Sequence, residues 1–101
     1  MSSQEATMVR IYLTEGDHTL NALIRHLHDV AKVQGVTVFR AIAGFGHSGR
    51  LHSTALVDLS LDLPLVVEFF DSPERIEAVL PTLGALTDPR HVVTWSVRIP
   101  V

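Results

Sequence analysis

A chain of 101 residues, 47% of them apolar, can bury one core but is too small for two lobes around a cleft, so a sizeable site calls for a second subunit. The absence of cysteine excludes thiol catalysis, zinc–thiolate centres and a disulfide scaffold. A net charge of −3 gives no basic stripe for nucleic acid, no run suits a membrane span and the start lacks a signal-peptide pattern, which makes cytoplasmic the expected location.

A short polar tail is expected over residues 1–7, followed by one domain over 8–101. Residues 8–14 alternate, with Val9, Ile11 and Leu13 on one face and Arg10, Tyr12 and Thr14 on the other, the pattern of a half-buried strand. A helix follows, because Leu20, Leu23, Ile24, Leu27, Val30 and Ala31 recur at helical spacing. Asp17 or Thr19 can cap its start, and Gly35 suits the left-handed position after its end. A second strand is predicted over 36–43, apolar on both faces except at Thr37 and Arg40, as if its second face were also covered.

Residues 55–61 and 64–70 read as strands broken near Pro64, which cannot donate into a central ladder. Ser72-Pro73-Glu74 is a helix start, with a capping serine and proline at the first helical position, and Ile76, Val79, Leu80 and Leu83 make its buried stripe. Pro81 shortens or kinks that helix. A last strand over 92–99 turns Val93, Trp95, Val97 and Ile99 one way and Thr94, Ser96 and Arg98 the other. The order βαββαβ predicts an α+β, ferredoxin-like sandwich, an antiparallel sheet with two helices on one face. The other face still carries large apolar residues, and a homo-oligomer is the natural cover for it.

The segment Gly44-Phe45-Gly46-His47-Ser48-Gly49, with Arg50 and His52 after it, is the best candidate for holding a ligand. Glycine lets backbone N–H groups approach an anion closely, and arginine and histidine add donors suited to phosphate or carboxylate. The letters match G-x-G-x-x-G, yet no helix opens inside these glycines, so a dinucleotide-binding βαβ unit is not expected. A plain hairpin loop is the alternative.

Several stretches together resemble the PII-like proteins of the GlnB fold, and within them the family named domain of unknown function 190. These are Ile11-Tyr12-Leu13-Thr14-Glu15 with Asp17, Gly35-Val36-Thr37-Val38 leading to Gly44-Phe45-Gly46, Leu61-Asp62-Leu63-Pro64, and the helix from Glu74 to Leu83. The resemblance implies a homotrimer with adenine nucleotides or other small anions bound between neighbouring subunits. It also implies a T-loop, here about residues 44–57, that reaches a target protein. By position it assigns Gly44, Phe45, Gly46, His47 and Arg50 to the loop base and ligand side, and brings Arg90 and His91 toward the neighbouring cleft. Members of the family are often encoded beside fluoride exporters, which makes a membrane transporter, or an enzyme, the candidate target. The chain departs from signalling PII proteins in the stretch from Thr82 to Arg90, which has one arginine and no lysine where they carry a glycine- and lysine-rich phosphate loop. The only tyrosine, Tyr12, lies outside the loop, so tyrosine nucleotidylation is not expected.

The six histidines raise a divalent-metal reading. His26 and His28 stand two apart on a helix and face different ways, which leaves His47, His52 and Asp58 as the set a folded-back loop would gather; no metal site is assigned. Glu15 and Asp17 suit helix capping. Arg40 and Arg98 suit pairing between subunits, Glu68 needs water or a partner charge, and Trp95 suits the core or an interface. No nucleophile with an adjacent base is recognisable, so the chain is not expected to be an enzyme. The competing readings are a small dimeric α+β-barrel enzyme and a histidine-based metal binder.

Overall fold

The computed structural model describes residues 2–14, 18–44, 52–53 and 63–101, the pair 52–53 by backbone alone. Its main sheet has four strands: β1 (Ser3–Thr14), β2 (Val36–Arg40), β5 (Pro64–Asp71) and β6 (Val92–Pro100). They lie in the order β2-β5-β1-β6, every neighbour antiparallel. That is the ferredoxin-like order, with the two halves of the chain interleaved so that β1 and β5 are central. A separate two-residue ladder joins β3 (Ala43–Gly44) to β4 (His52–Ser53).

The alternation in β1 and β5 builds the core. Val9, Ile11 and Leu13 lie opposite Phe69, Val67 and Leu65, and this face packs against Leu23 and Leu27 of the first helix and Ile76, Val79 and Leu83 of the second. Both helices therefore cover one face, as the pattern predicted.

The tail expected over residues 1–7 is strand from Ser3 onward. Ser3 to Thr7 pair with Pro100 to Ser96, a ladder of backbone bonds that needs no hydrophobic alternation and so leaves no signature in side chains. The strand predicted over 36–43 stops at Arg40, and the one predicted over 55–61 lies outside the described residues.

Helix α1 (Leu20–Arg25) continues as a π-helical turn over His26–Val30. The wider winding keeps Leu23 and Leu27 buried while Val30, predicted to be core, turns out to solvent. Thr19 stands at the N-cap position without a side-chain bond, and Asp17 and Glu15 lie outside the described residues. The left-handed residue after the helix is Lys32 (φ 54°), not the expected Gly35, because the π turn ends the helix earlier. Helix α2 (Pro73–Val79) opens as predicted: Ser72 accepts from the Arg75 amide at 3.3 Å and Pro73 fills the first turn. At Leu80 it tightens into a 3₁₀ turn, Leu80–Leu83, around Pro81.

Asp71 is the buried charge among the described residues, at 5% exposure. Its carboxylate accepts from the Ser72 amide (2.8 Å) and from Arg75 Nε (3.2 Å), while Arg75 Nη2 donates to the carbonyls of Ala31 (2.5 Å) and Lys32 (2.9 Å). One guanidinium thus ties the end of β5 and the start of α2 to the end of the first helix. Arg75→Ala strips this carboxylate of its cation and is expected to cost about 2 kcal/mol, or roughly 10 °C in melting temperature. Arg75 is half exposed, so the loss falls below the full value for a buried pair. Arg75→Lys, which lacks the fork, should recover only part of the loss in a thermal melt.

Candidate functional site

The chain leaves the sheet at the end of β2 and enters the β3–β4 ladder, where Ala43 lies opposite Ser53 and Gly44 opposite His52. This stem is anchored to the main sheet: the Ala41 amide donates to the Pro64 carbonyl at 2.9 Å. Gly44 has φ 158°, and a Cβ there would meet only the Pro64 ring at an ordinary 3.5 Å, so backbone conformation and not lack of space favours glycine. Gly44 is thus the first residue of the predicted ligand loop to have a defined place. Phe45, Gly46, His47 and Arg50, with most of the T-loop expected over 44–57, lie outside the described residues.

Arg90 sits in a 3₁₀ turn, Pro89–His91, that opens on Asp88. The Asp88 carboxylate accepts from the Arg90 amide at 2.9 Å and again from its side chain, from Nε at 3.2 Å to each oxygen and from Nη2 at 2.7 Å. The guanidinium is 69% exposed, yet its Nε–Nη2 edge is fully engaged. Arg90 accordingly holds the Asp88 carboxyl well below the usual carboxylate range, and Asp88 raises the Arg90 guanidinium in return. One residue earlier, Thr87 Oγ1 is buried with no hydrogen-bond partner among the described residues.

Register decides how the two halves relate. Thr14, Pro64 and Arg40 mark one end of the sheet, since Thr14 lies opposite Pro64 and Arg40 opposite Leu65; Gly44 follows at that end. Val92 lies opposite Ile11 with β6 running the other way, so Arg90 belongs to the same end. But β2 and β6 are the two edges of the sheet, about 14 Å apart across three strand spacings. The glycine stem therefore follows the edge strand β2 and Arg90 precedes the edge strand β6, both at one end of the sheet.

Between those edges lies the face that no helix among the described residues covers. Phe39 is 51% and Trp95 40% exposed, and Tyr12 and Val93 are exposed beside them. At its centre Arg10 pairs with Glu68, through Nε at 2.7 Å and through Nη2, and its guanidinium stacks 5.2 Å from the Trp95 ring. Tyr12 and Glu68 together raise the Arg10 guanidinium. Glu68 thus has the partner charge it required. Arg10 was legible only as an outward residue of β1; its pairing depends on register, as Arg10 and Glu68 are direct cross-strand neighbours.

The other candidates are dispersed. The His26 ring contacts Thr82 Oγ1 at 2.9 Å; because that hydroxyl donates to the Val79 carbonyl, Nε2 of His26 is the donor. His28 contacts Asp29. Among the described residues no three histidines or carboxylates converge on a metal position, and the set His47, His52 and Asp58 lies outside what side-chain description covers. Arg98 stands opposite Glu5 within one chain, beside a surface depression of about 710 Å³ lined by Ser3, Glu5, Ser96, Val97 and Arg98. That depression is at the far end of the sheet from Gly44 and Arg90. No helix among the described residues is long and apolar enough to cross a membrane.

Comparison with known proteins gives this geometry a context. The family model of DUF190, described as uncharacterized ACR, matches residues 6–99. A UPF0166 protein of Methanocaldococcus jannaschii is 35% identical over 83 residues, spanning 78% of this chain and 76% of the relative. Among solved structures, CPII, a nitrogen regulatory PII-like protein from Thiomonas intermedia bound to ADP, AMP and bicarbonate, superposes with TM-score 0.69 at 18% identity. That match covers 99% of this chain and all of the other (100%). A protein from Thermus thermophilus described as PII-like signalling matches with TM-score 0.57 at 16% identity, over 100% and 93% of the two chains. At these identities the likeness is one of fold.

Proposed function

The chain belongs to the DUF190 family, and from that premise we propose that it is a PII-like regulatory protein, cytoplasmic and homotrimeric, that binds an adenine nucleotide or another small anion between its subunits. One observation carries the reading: Gly44 follows one edge strand and Arg90 precedes the other, at the same end of the sheet, with an apolar face between those strands that no helix among the described residues covers. Copies packed through that face bring the β6 edge of one subunit beside the β2 edge of the next, and each cleft then has a glycine stem on one wall and Arg90 on the other. The nucleotides and bicarbonate bound to the similarly folded CPII support this ligand class.

The protein acts by coupling and not by catalysis. A ligand that contacts Gly44, Phe45, Gly46, His47 and Arg50 on one side and Arg90 on the other favours one arrangement of the loop over 44–57. That arrangement changes affinity for a target, a membrane transporter or an enzyme, by no more than the ligand's differential affinity for the two states. Arg50→Ala and Arg90→Ala are each expected to weaken ADP binding by about tenfold in calorimetry, each removing a charge-assisted contact, with oligomeric mass and melting temperature unchanged. Undiminished affinity in both variants would remove these residues from the site.

A further inference from the structure

We propose that Asp88 is a built-in competitor for the anion: it occupies the Nε–Nη2 edge of the Arg90 guanidinium in the free protein and must be displaced for a phosphate to take that edge. The proposal rests on the reading of Arg90 as an anion contact. Its own basis is the geometry of the Asp88 carboxylate, which does two jobs at once. By accepting from the Arg90 amide at 2.9 Å it caps the 3₁₀ turn, and the cap fixes where the carboxylate stands. From that position it takes both Nε and Nη2 of the same residue. That edge is one of the two forks an arginine offers for two-pronged contact with phosphate, the Nη1–Nη2 edge being the other. A ligand on the Nε–Nη2 edge contends with Asp88 for the same two donors, and one on the other edge still meets the compensating charge of Asp88.

Two consequences follow. The pair is electrically neutral, so an approaching anion meets a guanidinium whose charge is already compensated, and weakly charged anions gain least at this position. A carboxylate is charged at physiological pH, and Arg90 keeps the Asp88 carboxyl well below even the usual carboxylate range, so the competitor itself is not switched by protons. Asp88 thereby raises the ligand concentration needed for half occupancy.

The test is a double-mutant cycle read by calorimetric titration with ADP. Asp88→Asn keeps an oxygen to cap the turn and removes the charge; Asp88→Ser does the same with a smaller group, and melting curves for both report whether the turn has survived. The exposed pair predicts that Asp88→Asn and Asp88→Ser tighten ADP binding by about threefold. In an Arg90→Ala background, itself weakened about tenfold, the same change should have no effect, since there is no guanidinium left to release. Three results would overturn the proposal. Unchanged ADP affinity in Asp88→Asn and Asp88→Ser, with Arg90→Ala still weakened, removes the competitor and leaves the site reading standing. An equal gain with and without Arg90 means a general charge effect. Unchanged affinity in Arg90→Ala removes Arg90 from the site and the competitor with it.

Discussion

Replacing Phe69 with alanine is expected to lower the stability of the subunit by about 4 kcal/mol, the usual cost of emptying an aromatic site in a closed core. Phe69 is central to β5, buried against both helices and opposite Val9 and Val36 on its two neighbours. The cavity would be walled by strands on each side, which leaves little room for collapse. On a marginally stable domain of this size that removes much of the total, and a melting temperature roughly 20 °C lower is the expected readout. Phe70 is the control. It faces the other side of the sheet, opposite Met8, and Phe70→Ala should leave the isolated subunit far less affected. Equal losses at the two positions in the monomeric Phe39→Lys, Trp95→Lys background would mean that the faces of β5 are not divided between core and open surface.

Introducing charge on the open face is expected to have the largest functional effect. Phe39→Lys combined with Trp95→Lys places two ammonium groups in the apolar face, one of them beside Arg10, whose carboxylate partner Glu68 is already engaged. Burying those charges against a second copy costs several kcal/mol each, and copies related by symmetry multiply the repulsion. Light scattering should then give a mass near the 11.1 kDa subunit, where the proposed homotrimer of the unaltered protein would give about three times that value. Circular dichroism should be unchanged, because both side chains are already half exposed in the single subunit. ADP binding should fall by about a hundredfold or more, although neither residue belongs to the cleft, since two separate walls lose their shared effective concentration. A monomer that still bound ADP normally would place the ligand inside one subunit and end the cleft account.

Much of this organisation is readable in the residues themselves. The alternation of Val9, Ile11 and Leu13, the Ser72-Pro73 helix start and the effect of Pro81 are local, and each holds in the structure. What escapes a reading by pattern depends on partners distant in sequence. Ser3 to Thr7 form strand only because β6 offers them a backbone ladder. Lys32 takes the left-handed position because the helix, which finishes in a π turn, stops before Gly35. Arg75 in the interhelix tie stands four residues after Asp71, a spacing visible in retrospect, but its bonds to Ala31 and Lys32 are not. At the site, Asp88-Pro89 signals a cap, whereas the grip of Asp88 on the Arg90 side chain needs the turn itself. Gly44 and Arg90 are candidates the chain itself offers; that they attach to the two edge strands at one end of the sheet follows only from strand order.

The most direct test of the central claim is the thermal melt of the unaltered protein with and without saturating ADP, in the presence of bicarbonate. A ligand that binds the native assembly and not the unfolded chain must stabilise it, by about 2.7 kcal/mol at a hundred times its dissociation constant. The account predicts a rise of several degrees that increases with ADP concentration. A melting curve that does not move at millimolar ADP would contradict it.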